Sequence, residues 1–130
     1  MDNDASFLAA FLRGEIDGAM FSHADHVRVG FEALQIHGFS SAVHHLSLAL
    51  KTMAAKAGNP AAYHETITVA FLAVIAERSA AGAGASPDFD KFASANPDLM
   101  DKSVLAQWYT PERLGLDLAR RTFLLPDLAK

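Results

Sequence analysis

The chain of 130 residues contains no cysteine, which excludes disulfide bonds, thiolate metal sites and cysteine nucleophiles. Basic residues are also few: eleven Lys and Arg are scattered without a basic stripe, and the net charge is −4. This balance argues against nucleic acid as a partner. The longest uninterrupted apolar run is the eight residues 69–76, far short of the ~20 residues that cross a bilayer. We therefore expect no membrane span.

Strand-like alternation, internal repeats and a cationic leader are likewise missing from the sequence. What is present is an ordinary globular composition, 51% hydrophobic and 20% charged, in a length that suits one core. These features predict one all-α domain spanning residues 1–130. An acidic amino terminus without a secretory signal favours a cytoplasmic location.

Residues 59–78 form the stretch around which the rest of the chain is predicted to pack. Asn59 followed by Pro60 is typical of a helix start. The second half of the stretch is wholly apolar, so we predict a buried central helix in a bundle of five to seven helices. Its polar residues lie in the first two turns, where an unpaired buried polar group would cost roughly 1–3 kcal/mol. They are Tyr63, His64, Glu65, Thr66 and Thr68.

A second helix is predicted from Ser22 to His37, ending at Gly38. Ser22 and Asp25 have the spacing of a capping box. At about 100° per residue, His23 and His26 fall on the inward side, and Gly30 between them and the carboxyl end would let another helix approach closely. The predicted solvent face comprises Asp25, Arg28, Glu32 and Gln35.

The remaining predicted elements follow from caps and helix breakers. We expect helices at 5–13, from Ser40 or Ser41 to the residue before Gly58, and at 87–95, 97–109 and 111–122, with a Gly- and Ala-rich loop at 79–86. The tail 123–126 is too apolar for a free terminus and is predicted to pack back onto the bundle.

The histidines of the two inner helices suggest a metal site. His23 and His26 are three apart on one helix, and His64 would come from the central helix. Three imidazoles are a common ligand set for a divalent ion such as Zn²⁺ or Fe²⁺. Glu65 would then be a fourth ligand or a general base, and Tyr63 or Thr68 would hydrogen-bond near the substrate. The predicted function is a small metal-dependent hydrolase or lyase acting on a small polar molecule.

Two other interpretations remain open, because H-x-x-H is a weak motif in a chain with six histidines. The polar residues could form a metal-free polar or catalytic cluster, or the histidines could be purely structural. The alternative function is a non-catalytic helical module that binds a small ligand or assembles into a homo-oligomer.

Four segments together resemble a group of small helical bacterial proteins that are mostly called uncharacterised. The most specific segment is Y-H-E-T-x-T at 63–68, and F-x-H-x-x-H at 21–26 accompanies it. The other two lie at 92–99 and 119–127. The resemblance implies a compact all-helical domain whose notable polar residues are His23, His26, His64 and Glu65, and it implies no particular reaction.

Overall fold

A computed structural model describes residues 3–80 and 88–128. Within these ranges the chain forms seven α-helices joined by short 3-10 turns and contains no strand, so the predicted all-α fold is confirmed. The predicted loop at 79–86 falls mostly outside the described residues. The helices are α1 (Asn3–Leu12), α2 (His23–His37), α3 (Phe39–Lys56), α4 (Glu65–Ala80), α5 (Phe89–Ala95), α6 (Pro111–Leu114) and α7 (Asp117–Arg121).

The central helix, α4, begins at Glu65, so the predicted start at Asn59 is wrong. Pro60–Ala62 forms a separate 3-10 turn, and the backbone of Tyr63 is extended. The Asn59 side chain makes no capping hydrogen bond. Instead, the ring of His64 accepts a hydrogen bond from the Ile67 amide, three residues on, as an N-cap side chain does.

Helix α4 packs against α2, α3 and α7, as expected for a central helix. One apolar cluster joins α2 and α4 to the carboxyl-terminal third of the chain through Phe31, Phe71 and Leu99. A second cluster joins α1, α2 and α3, with Leu72 of α4 at its edge. Helices α2 and α4 therefore each contribute to both clusters.

Helix α2 begins with the predicted capping box, in which Ser22 accepts from the Asp25 amide and Asp25 accepts from the Ser22 amide. Gly30 allows the predicted close approach of α4. A Cβ at Gly30 would lie 3.2 Å from Ile75 Cδ1 and 3.3 Å from Leu72 Cδ1. A side chain at this position would therefore require the ends of these two side chains to shift by a few tenths of an ångström.

The predicted solvent face of α2 is partly wrong, because α1 covers it. The side chains of Arg28 and Glu32 are only 24% and 12% exposed. The Arg28 guanidinium lies 5.2 Å from the centre of the Phe7 ring on α1, a cation–π contact that a wheel of α2 alone does not indicate.

The carboxyl-terminal third is more broken than predicted. The predicted helix at 97–109 is two 3-10 segments, Pro97–Met100 and Lys102–Gln107, and the one at 111–122 is divided into α6 and α7. Asp101 lies between the two 3-10 segments and caps the second one by accepting a hydrogen bond from the Ser103 amide. No helix among the described residues has both the length and the apolar character needed to cross a membrane.

The tail returns to the bundle as predicted. The Tyr109 hydroxyl donates to the Leu124 carbonyl over 2.8 Å, and the Leu124 amide donates to Thr66 Oγ1 over 3.0 Å. The Thr66 hydroxyl, fully buried, donates in turn to the Thr122 carbonyl. The tail is held mainly by its backbone, which explains why the Phe123 and Leu125 side chains remain exposed.

Candidate functional site

A cavity of about 670 Å³ lies between α2, α3, α4 and the segment from Lys102 to Leu114. Its inner wall is apolar and includes Gly30, Leu46, Leu72, Ile75 and Leu105. The lining residues that are exposed mark where the cavity reaches the surface. They are His26, Ala57, Ala62, Ile67, Lys102, Ser103, Ala106 and Pro111.

Five of the six site residues predicted from sequence line this one cavity, namely His23, His26, Tyr63, His64 and Thr68. Glu65, the sixth, binds the hydroxyl of Tyr63. The polar groups come from the first turns of α2 and α4 and from the residues before α4. Helices α2 and α4 contact each other along this side: the His23 ring contacts Phe71, and Gly30 faces Leu72 and Ile75.

His64 uses both ring nitrogens in hydrogen bonds to the backbone. Nδ1 accepts from the Ile67 amide over 3.1 Å, so Nε2 carries the proton and donates to the Leu114 carbonyl over 2.7 Å. The residue is only 9% exposed. His64 therefore caps α4 and ties it to α6, and this arrangement leaves no nitrogen lone pair for a metal ion.

His23 and His26 lie on successive turns of α2 with ring centres 6.4 Å apart. His23 Nε2 donates to the Leu99 carbonyl over 3.0 Å, and its ring meets Phe71 edge to face at 5.0 Å. The His26 ring lies 4.5 Å from the Phe21 ring. His23 thus links α2 to the carboxyl-terminal third, whereas His26 faces the cavity mouth.

Burial is the main cause that lowers the pKa of His26 to about 4; electrostatic interactions with His23 and Lys102 act in the same direction, and Asp25 opposes them. His26 has accessible surface. Because the residue lines the cavity, part of that surface faces space enclosed by protein rather than bulk water. The imidazole is therefore neutral at pH 7.

Tyr63, Glu65 and Thr68 form a hydrogen-bonded group beside the cavity. The Tyr63 hydroxyl donates to Glu65 Oε1 over 2.6 Å, and Thr68 Oγ1 donates to the His64 carbonyl over 2.8 Å. Burial and the bond to Glu65 raise the pKa of Tyr63 to about 12. Tyr63 is therefore a fixed hydrogen-bonding group at neutral pH and does not ionise.

The metal donors predicted from sequence were His23, His26 and His64, with Glu65 beside them. Within residues 3–80 and 88–128, no group of three or more histidine, aspartate or glutamate side chains could hold a metal ion. Glu65 instead binds Tyr63, and His64 is engaged on both nitrogens. The present side chains do not fit a Zn²⁺ or Fe²⁺ site, and that site stays a prediction.

Nothing in the sequence indicated two polar residues at the cavity mouth, Lys102 and Ser103. Neither belongs to a motif, and they reach the cavity because a 3-10 segment passes its mouth. Thr66 was noted as polar, but its role in holding the tail could not be seen, since both of its partners lie more than fifty residues away.

No protein-family model, curated protein or solved structure matches this chain. The resemblance described above therefore stays a prediction.

Proposed function

We propose that this protein binds a small, largely apolar molecule in the cavity between α2, α3 and α4. The observation that carries the proposal is the cavity itself, which gathers five of the predicted site residues at one end of an apolar interior. Its volume of about 670 Å³ falls within the range of about 300–1,000 Å³ that is usual for ligand pockets.

The distribution of polar groups favours a ligand with one polar end. Imidazoles and hydroxyls lie near the first turns of α2 and α4, as with His26 and Tyr63, whereas Leu46, Leu72 and Ile75 surround the deeper space. An apolar group buried there would gain roughly 25 cal/mol for each Å² removed from water. The polar end of the ligand would remain beside groups that can hydrogen-bond to it.

This proposal corresponds to the non-catalytic alternative foreseen from the sequence. The metal-dependent hydrolase or lyase stays a prediction that the positions of the described donors do not favour, since His64 acts as a helix cap. A cytoplasmic location is part of the proposal, and association into a homo-oligomer is left as a prediction.

Binding of N-phenyl-1-naphthylamine, a neutral probe that fluoresces in apolar surroundings, tests the proposal. We expect saturable binding to the wild type. Replacing Ala54, which lines the cavity, with Phe should weaken binding about tenfold or more by filling the space that the probe needs.

The matched control is Ala55→Phe, which adds the same ring to the next residue of α3, on its exposed surface. This variant should bind the probe within about twofold of the wild type. Equal loss in both variants, or no saturable binding by the wild type, would contradict the proposal. Circular dichroism of both variants confirms that the helices persist.

A further inference from the structure

We propose that the ligand carries a carboxylate, and that this head group lies at the cavity mouth beside Lys102, His26 and Ser103. The inference rests on the proposed function, because it identifies the polar end of the molecule that the cavity takes. It follows from the charges around the mouth.

The described cavity wall has an unusual charge balance for this protein. The chain contains fifteen acidic and eleven basic residues, yet the described lining residues include no Asp or Glu. They include Lys102 and three histidines. A mouth with one ammonium group and no carboxylate in its wall favours an anion, because nothing of like charge in the wall repels it.

Lys102 has no ion-pair partner in the part of the chain that the structure describes. Several arginines contrast with it. Arg13 pairs with Glu15 at 2.9 Å, and Arg78 pairs with Asp98 at 2.8 Å. The Lys102 ammonium is therefore available to bind an anionic group that enters the cavity. Such a charge-assisted hydrogen bond is about twice as strong as one between neutral groups.

Three carboxylates next to cavity residues do not line the cavity, and each accepts a hydrogen bond from the protein. Asp25 accepts from the Ser22 amide, and Asp101 accepts from both the amide and the side chain of Ser103. Glu65 accepts a hydrogen bond from the Tyr63 hydroxyl. The three carboxylates keep their charge, but none of them forms an ion pair with Lys102. A single ammonium beside one imidazole suits a monoanion such as a carboxylate.

Proton uptake should accompany binding. An anion beside His26 favours the imidazolium form, so binding should raise the pKa of His26 from about 4. Asp25 acts in the same direction, whereas His23 and Lys102 oppose it. Between pH 5 and pH 6 the bound complex would then hold more protons than the free protein. A neutral ligand of the same length would not have this effect.

Decanoate and 1-decanol, which share a ten-carbon chain and differ in the head group, test the inference. Each is titrated against the protein carrying N-phenyl-1-naphthylamine at pH 7, and displacement gives its affinity. We expect decanoate to bind about tenfold or more tightly than decanol. Replacing Lys102 with Met, which keeps the length and removes the charge, should abolish most of this preference while leaving decanol unchanged.

Lys91→Met is the matched control, because it removes the same charge from an exposed residue of α5 that does not line the cavity. It should retain the preference for decanoate. If decanol binds as tightly as decanoate, or if Lys102→Met weakens both equally, the carboxylate proposal is wrong although the cavity binds ligands. If neither molecule displaces the probe, and the probe itself does not bind, the proposed function is wrong as well.

Discussion

The amino-terminal turns of α2 and α4 both carry histidines beside the same cavity, but they use them differently. At α2, Ser22 and Asp25 form the capping box and satisfy the free amides. At α4, no serine or aspartate precedes the helix, and the His64 ring accepts the hydrogen bond of the Ile67 amide itself. Because both ring nitrogens of His64 bind the backbone, His64 cannot also bind a metal ion or transfer a proton to a ligand.

This difference explains why two histidines with similar sequence positions, each near the start of an inner helix, have different roles. His26 is not needed as a cap, because Ser22 and Asp25 already cap α2, and its ring lies at the cavity mouth. His64 is held by two backbone groups, one of them fifty residues further along the chain. We therefore expect His64 to act on stability and His26 to act on binding.

The largest expected effect is that of His64→Ala. The change removes the cap of α4 and leaves the Leu114 carbonyl without its donor in a buried setting. Together these losses should lower the free energy of unfolding by about 3 kcal/mol, as measured by urea denaturation. His26→Ala should cost about 1 kcal/mol or less, because His26 is exposed and its ring makes no hydrogen bond to the backbone in the described structure.

His64→Asn separates the two roles of His64. Asparagine is a good N-cap but is too short to replace the bond to Leu114, so it should recover about 1 kcal/mol relative to alanine. Equal stability of His64→Ala and His26→Ala would show that the contrast between the two helix ends is not real.

A smaller effect is expected from Ser22→Ala. Loss of one half of the capping box should lower the free energy of unfolding by about 1 kcal/mol. Affinity for N-phenyl-1-naphthylamine should stay within about twofold of the wild type, since the capping hydroxyl is exposed and does not line the cavity. A loss of probe binding similar to that of Ala54→Phe would mean that capping and binding are coupled at α2.

The smallest expected effect is a loss of stability at acidic pH that depends on His26. The pKa of His26 is lowered to about 4 in the folded protein, against about 6.5 in the unfolded chain. The stabilising contribution is therefore complete above pH 6.5 and is lost as pH falls towards 4, because the unfolded chain takes up the proton first. The exposure of His26 limits this loss to about 1 kcal/mol or less.

Urea denaturation at pH 7 and pH 4.5 measures this loss in the wild type and in His26→Gln. Between these two values, the variant should lose less stability than the wild type. Identical pH dependence in both proteins would contradict the assignment of a neutral, partly enclosed imidazole at the cavity mouth. Comparing the two proteins cancels the contributions of other groups whose pKa values are shifted, such as Asp98 and Asp101.

The sequence by itself determined what depends on neighbouring residues. The capping box at Ser22 and Asp25, the end of α2 at Gly38 and the close helix contact at Gly30 were all predicted and are all present. These features follow from local hydrogen bonding and side-chain size, which a short stretch of sequence contains. The all-α fold followed in the same way from helical patterning.

The tertiary structure alone decided where the central helix starts and what its polar residues do. His64 replaces Asn59 as the cap, and its second nitrogen binds the Leu114 carbonyl, while Thr66 binds the tail. Likewise, Lys102 reaches the cavity only because the chain folds back past α2. These partners lie tens of residues apart, and local sequence carries no information about which distant carbonyl or cation a folded chain brings near.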